Sequence, residues 1–332
     1  MFAGCSLCSS SVVSQPARRK VTVGGRRVKT IDIHAHVVFP EATALMGNAT
    51  NPGDPLIMAP SRFDRMDEWG TDMQALSVNA TWYGLDRNRA TQVCKLQNER
   101  LAELCARYPD RFVAFASVAL QFPELAADQL EEGIRKFNLR GAAIGGHVNG
   151  DELSATKFDP FWKKAEELGC LVFMHPQGIP ELDQRLMGRG GLTNVIGNPL
   201  ETTIALHYLI FGGVLERHPD LKIIAVHGGG FLGGYPGRID HAWGARGDAR
   251  GDLPKPPSSY LKKIYVDTVV FTPEQLTALV ATFGIDRVLM GTDYPYDMAE
   301  YDPLQHLAAT ESLDAVSRAA IAGGNAKRLL GV

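Results

Sequence analysis

The chain has 332 residues, of which 45% are hydrophobic and 21% charged, and its formal net charge is −3. This is the composition of a folded globular protein with material for a large core, and it offers no global basic field for nucleic acid. No run of ~18 or more apolar residues occurs, so no transmembrane helix is predicted.

Taken from the N-terminus, residues 1–29 are rich in Ser, Gly, Arg and Lys and read as a flexible extension ahead of a single folded domain over 30–332. The stretch from Phe2 to Val13 is too short and too polar for a secretory core, and its basic residues follow it rather than precede it. Cys5 and Cys8 read as free thiols in this tail. The cluster Arg18, Arg19, Lys20, Arg26 and Arg27 reads as a solvated arm. Five cysteines, spread along a chain of this length, do not form a secreted disulfide framework, and a cytoplasmic location is expected.

From residue 30 onward, strand-like and helix-like segments alternate. Strands are predicted at 30–36, 76–81, 112–118, 140–145, 170–175, 221–227, 263–268 and 286–292, each a short apolar or β-branched run. Helices are predicted at 91–107, 124–138, 158–168, 200–217, 273–283 and 312–329 from apolar spacing near 3.6. Ser61-Arg62-Phe63-Asp64 and Thr272-Pro273-Glu274 carry helix-start signals, and Glu167-Leu168-Gly169 a helix stop. Eight βα units predict an α/β fold of the (β/α)8 TIM-barrel type with loop insertions. A doubly wound open sheet is the second choice, but no G-x-G-x-x-G follows the first strand.

Polar residues cluster at the ends of these strands. His34 and His36 close the first strand, and because strand side chains alternate, two positions apart share one face. His175 closes the fifth strand, His227 the sixth and Asp293 the eighth. In a barrel these ends meet at one mouth. Imidazoles and a carboxylate converging there suit a divalent metal ion. Gly228-Gly229-Gly230 beside His227 is compatible with substrate space, with backbone N–H donors or with a plain tight turn. His147 at the end of the fourth strand either binds substrate or orders its loop. Asn198 faces the pocket or caps a helix, and Trp82 and Tyr83 stack on a flat substrate or pack in the core.

The set Asp32-Ile33-His34-Ala35-His36, Arg62-Phe63-Asp64-Arg65-Met66-Asp67, His147-Val148-Asn149-Gly150, Phe173-Met174-His175-Pro176, Asn198-Pro199-Leu200-Glu201-Thr202-Thr203, His227-Gly228-Gly229-Gly230 and Gly291-Thr292-Asp293-Tyr294-Pro295 resembles the amidohydrolase-related metal-dependent decarboxylases. The resemblance covers roughly residues 30–332. It implies one metal ion, zinc or manganese, held by His34, His36, His175 and Asp293, with His227 as the acid–base residue. Two-metal relatives carry a bridging lysine on the fourth strand. Here that strand reads Arg140-Gly141-Ala142-Ala143-Ile144-Gly145-Gly146, which implies a mononuclear site. Asp293 is a ligand, a proton donor or both. Arg62, placed in a loop after the first strand, and Arg238 match positions that grip a substrate carboxylate, Arg238 by crossing the interface of a homodimer or higher oligomer. Tyr296 matches a pocket aromatic. The implied reaction is decarboxylation of an unsaturated or aromatic small-molecule carboxylic acid. Hydrolysis of a lactone, amide or C–C bond, and hydration of an unsaturated dicarboxylate, are alternatives on the same site. A non-catalytic metal-binding scaffold would have no need of His227, Arg62 and Arg238 together. Loops 40–60 and 176–197 are expected to act as lids that set the substrate.

Overall fold

The computed structural model describes residues 18–23 and 25–332. Its sheet strands are β1 (Ile31–His36), β2 (Met73–Ser77), β3 (Phe112–Ala114), β4 (Ala116–Ser117), β5 (Gly141–Ile144), β6 (Leu171–Met174), β7 (Lys222–Ala225), β8 (Tyr265–Asp267) and β9 (Val288–Leu289). β3 and β4 are two parts of one stave, so nine segments make the eight staves read from the sequence. Every pairing among them is parallel. The ring closes where the Ile33 amide donates to the Met290 carbonyl and the His36 amide to the Tyr294 carbonyl, each at 2.8 Å. A closed parallel ring with helices outside is a (β/α)8 barrel, and the open doubly wound sheet is set aside.

The staves are apolar throughout because both of their faces are covered. One buried cluster, including Ile31, Ile33, Phe115, Phe173, Ile224 and Leu289, is closed by Ala326 and Leu330 of the C-terminal helix. A second cluster packs the strands against the outer helices. The helices of nine residues or more are α1 (Pro60–Trp69), α2 (Arg87–Arg107), α3 (Pro123–Arg135), α4 (Asp159–Glu167), α5 (Asn198–Phe211), α6 (Pro236–Ala245) and α7 (Pro273–Phe283). α2 begins four residues before its predicted start because Asp86 caps it, accepting from the Asn88 and Arg89 amides. Thr272 caps α7 in the same way through the Gln275 amide. The predicted helix 200–217 divides at Gly213, whose φ of +73° breaks the run.

Two expectations change. Arg62 lies not in a loop but on α1, on the buried stripe it shares with Met66 and Trp69 at helical spacing. Arg18, Arg19 and Arg27 tie the start of the described chain to the barrel: Arg18 and Arg27 both pair with Asp72, at 2.7 and 2.6 Å, and Arg19 pairs with Asp302 at 2.9 Å. Asp72 is buried, so these arginines neutralise a carboxylate that could not remain unpaired. Cys5 and Cys8 lie outside the described residues. Among the described residues, no helix is long and apolar enough to cross a membrane.

Candidate metal centre and active site

The ends of β1, β6 and the segment after β9 bring His34, His36, His175 and Asp293 together, all buried, with their ligand atoms within 4.8 Å of one another. Between β1 and β2 the pairing register shifts between Asp32 and Ala35, an irregularity at the strand end that carries the two histidines. Asp293 holds a left-handed φ of +63° and His227 one of +55°. Non-glycine residues avoid that region, and their presence there marks a backbone held in place to aim two side chains at one point.

The donors fit a metal ion. Each ligand histidine has its Nδ1 occupied. That of His34 donates to Asp267 at 2.7 Å, that of His36 meets the Ser77 hydroxyl at 2.9 Å, and that of His175 donates to the Pro176 carbonyl at 2.8 Å. All three Nε2 atoms then face inward. The Nε2 atoms of His34 and His36 are 2.9 Å apart, and Asp293 Oδ1 lies 3.1, 2.9 and 3.8 Å from the Nε2 atoms of His34, His36 and His175. Tetrahedral zinc ligands stand ~3.3 Å apart, so these separations suit one ion. His175 Nε2 is buried with no hydrogen-bond partner. Burial pulls His36 down to about 3 and His175 down to about 4, so both are neutral ligands at pH 7. Burial opposes charge on His34, but Asp293 and Asp267 outweigh it and hold that imidazole's pKa up at about 10. Burial also opposes charge on Asp293, yet His34 and its other histidine neighbours keep it ionised, well below the usual carboxylate range. This is the only such metal-binding group among the described residues, which agrees with a mononuclear site.

His227 stands beside the centre, its Nε2 3.4 Å from Asp293 Oδ2 and its Nδ1 buried without a partner. The glycines after it form a tight packed turn. The Gly228 amide donates to Asp267, and a Cβ on Gly230 would lie 2.2 Å from the Pro199 carbonyl oxygen. A cavity of about 460 Å³ opens over His227 and Asp293. Asn198, the first residue of α5, lines it, as do Asn194 and Val195 from the expected lid 176–197.

The remaining candidates lie at different distances from this centre. Arg62 is buried beneath β1, donating to the His36 carbonyl at 2.6 Å and to Gln74 at 3.0 Å, with its guanidinium over the Tyr294 ring. Burial lowers its pKa to about 10. Gln74 donates to Asp32, which also accepts from the Thr292 hydroxyl at 2.6 Å, so the chain from Arg62 ties the first, second and eighth staves under the metal ligands. Arg238 is exposed on α6 and does not line the cavity of its own chain. Tyr296 packs edge-on to His36 with its hydroxyl accepting from Asn79. His147 is bonded within its surroundings: Nε2 contacts the Gly178 carbonyl at 3.3 Å, and Nδ1 accepts from the Gly150 amide. Trp82 and Tyr83 are core residues, bonded to the Val118 carbonyl and the Gly145 amide.

Sequence reasoning missed two carboxylates. Asp267 ends β8 and orients His34. Its signal was an aspartate closing an apolar strand, the same signal that marks Asp293. Glu201 on α5 is buried and accepts from the amides of Gly146 at 3.2 Å, Gln177 at 2.7 Å and Gly178, joining the segments after β5 and β6. Burial pushes its pKa up to about 7, against the pull of those amides.

The sequence profile of the amidohydrolase family matches residues 31–332. The chain is 32% identical over 274 residues to a 2-amino-3-carboxymuconate-6-semialdehyde decarboxylase of Dictyostelium discoideum, covering 82% of this chain and 76% of that one. It is 30% identical over 293 residues to a gamma-resorcylate decarboxylase of Rhizobium radiobacter, covering 81% and 86%. Its structure superposes with a TM-score of 0.80 on a dihydroxybenzoic acid decarboxylase from a Polaromonas species, solved with manganese and the inhibitor 2-nitroresorcinol. That match has 26% identity and covers 92% of this chain and 97% of that one.

Proposed function

The chain belongs to the amidohydrolase family, and on that premise we propose that it is a metal-dependent, nonoxidative decarboxylase of an unsaturated or aromatic carboxylic acid of the hydroxybenzoate or muconate type. The observation that carries this reading is the His34–His36–His175–Asp293 centre lying under a cavity that also presents His227, in a chain whose similar relatives are decarboxylases. The enzyme is a carbon–carbon lyase. The bound ion, manganese or zinc, supplies Lewis acidity toward substrate oxygens. The manganese of the Polaromonas structure supports the first, and the three-imidazole donor set suits either.

The chain's own residues do the rest. When CO2 departs, the electron pair of the broken bond stays on the substrate carbon, which must take up a proton. His227 is placed to hold and deliver it, and its left-handed backbone aims the ring at the cavity floor. Asp293 is ionised and faces His227 through Oδ2, where it stabilises a protonated imidazole.

The enzyme works as a homodimer in this reading. Arg238 is exposed on α6, three residues beyond Tyr235, which does line the cavity. That placement suits a guanidinium that reaches a neighbour's cavity and grips its carboxylate in bidentate fashion. If so, mixing His227→Ala and Arg238→Ala subunits restores about a quarter of wild-type activity, because half of the dimers formed are mixed and each of these carries one intact site of two.

The deciding experiment is product analysis. Metal-reconstituted enzyme, incubated with hydroxybenzoates and muconate-type acids, releases CO2. Acid release from lactones without CO2 would overturn the decarboxylase reading in favour of a hydrolase.

A further inference from the structure

The cavity is larger than one ring needs. An apolar cavity of ~150 Å³ holds benzene, whereas this one measures about 460 Å³. A single carboxylated ring placed over His227 and Asp293 fills only part of it. Val195, Val270, Phe271, Ala278, Leu279 and Met298 give the same cavity an apolar wall. Several of these apolar side chains have no covering of their own: Val195 is 46% exposed, Phe271 48% and Met298 39%.

The backbone puts Phe271 there deliberately. Its φ is +66°, a conformation costly for an aromatic residue. The turn that carries it is pinned by two three-residue hydrogen bonds, from the Val270 amide to the Thr268 carbonyl at 2.8 Å and from the Thr272 amide to the Val270 carbonyl at 2.9 Å. The ring is therefore presented to the cavity by a strained turn, directly after the strand that carries Asp267. Strained turns that expose apolar groups beside a reaction centre are characteristic of ligand contacts.

We propose that this outer wall is a second subsite, which takes an apolar substituent, an alkyl chain or a second ring, on the acid substrate. The inference rests on the decarboxylase reading and extends it. The substrate is a substituted acid whose carboxylate lies at the metal end and whose apolar group lies against Phe271, Val270 and Leu279. Simple hydroxybenzoates are accepted, but they leave the wall wet.

The test measures Kd by calorimetry on the metal-loaded enzyme for 2-hydroxybenzoate and for its n-pentyl derivatives at each open ring position, and CO2 release from the same acids. Each methylene that leaves water tightens binding about fourfold, so at least one derivative is expected to bind more than about tenfold tighter than the parent. Ala278→Trp fills the wall from the exposed face of α7, and is expected to bring that Kd ratio to about one. A ratio below about threefold for every derivative overturns the subsite, as does a ratio that Ala278→Trp leaves intact. Dissociation of the oligomer by Ala278→Trp with no change in the ratio assigns the wall to a partner chain, and also overturns it. CO2 from the parent acid without any gain from the pentyl group removes the subsite and leaves the decarboxylase reading standing. Tighter pentyl binding with no CO2 from any acid does the reverse.

Discussion

Asp267 Oδ2 lies 2.7 Å from Nδ1 of His34, with both side chains fully buried. Its other oxygen accepts from the Gly228 and Val269 amides, so the carboxylate cannot turn away. This arrangement fixes the His34 tautomer that aims Nε2 at the metal and makes that nitrogen a stronger donor. Asp267→Ala is expected to weaken metal binding about 10- to 100-fold, measured by competition with a chelator of known affinity. Asp267→Asn, which keeps one acceptor oxygen, is expected to lose less.

Metal removal tests the centre as a whole. Without the ion, three Nε2 atoms and a carboxylate oxygen crowd one buried point. The chelated protein is expected to lose all activity and to melt at lower temperature. At a free metal concentration of 1,000 times Kd, binding stabilises the fold by about 4 kcal/mol. Activity and melting temperature should return together on titration with manganese or zinc, and the ion that restores turnover identifies the working cofactor. A melting temperature that ignores both ions would remove the metal from the fold's energetics.

The strand ends and their ligands were legible because each is an apolar run that closes on a histidine or aspartate, followed at once by Pro176 after His175 and Gly228 after His227, and two residues on by Pro295 after Asp293. His34, His36, His175, His227 and Asp293 all announce themselves this way. Arg62 was placed in a loop although Ser61-Arg62-Phe63-Asp64 carries a helix-start signal, because Ala59 supplies no side-chain cap and the helix already begins at Pro60, which puts Arg62 inside its first turn. On that helix its guanidinium is buried and bonded to the His36 carbonyl and to Gln74. Glu201 was invisible because its partners are backbone amides, and these carry no side-chain identity for a sequence to display. The outer cavity wall was equally hidden. Its residues come from three distant segments, and the positive φ of Phe271 is not a property of phenylalanine.

Arg62→Met separates the two roles that position could have. With the guanidinium gone, the His36 carbonyl and Gln74 lose buried, charge-assisted partners, at a cost of about 2–4 kcal/mol. Lower melting temperature and weaker metal binding are therefore expected, with KM changed less than kcat. A large rise in KM with metal affinity and stability intact would instead make Arg62 a carboxylate grip.

His227 is expected to act on the reaction and not on the metal. His227→Ala should retain the wild-type metal content, because the four ligands remain, while kcat falls about 10²- to 10⁴-fold. Metal analysis and steady-state CO2 release on one preparation decide it. Full turnover in the variant would transfer the proton step to Asp293.

Glu201 sets a pH dependence whose two consequences run in opposite directions. Ionised, it accepts three amides and holds the segment after His175 against the segment after β5. Protonation places an O–H where an N–H already points, so the hold loosens as pH falls through about 7. The acid limb of kcat/KM is expected to follow. Glu201→Gln, locked in a neutral form with one acceptor oxygen, should lose about tenfold at pH 8 and show a flatter profile below 7. Stability moves the other way. The folded-state pKa of about 7 lies above the ordinary value of 4.5, so between those values the folded protein binds the extra proton and its stability falls as pH rises. The melting temperature of wild type, measured relative to Glu201→Gln, should therefore be lowest above pH 7 and climb as pH drops toward 4.5, while relative activity declines over the same window. Parallel loss of stability and activity on acidification would mean that the carboxylate supports the fold as a charged group and that burial does not raise its pKa.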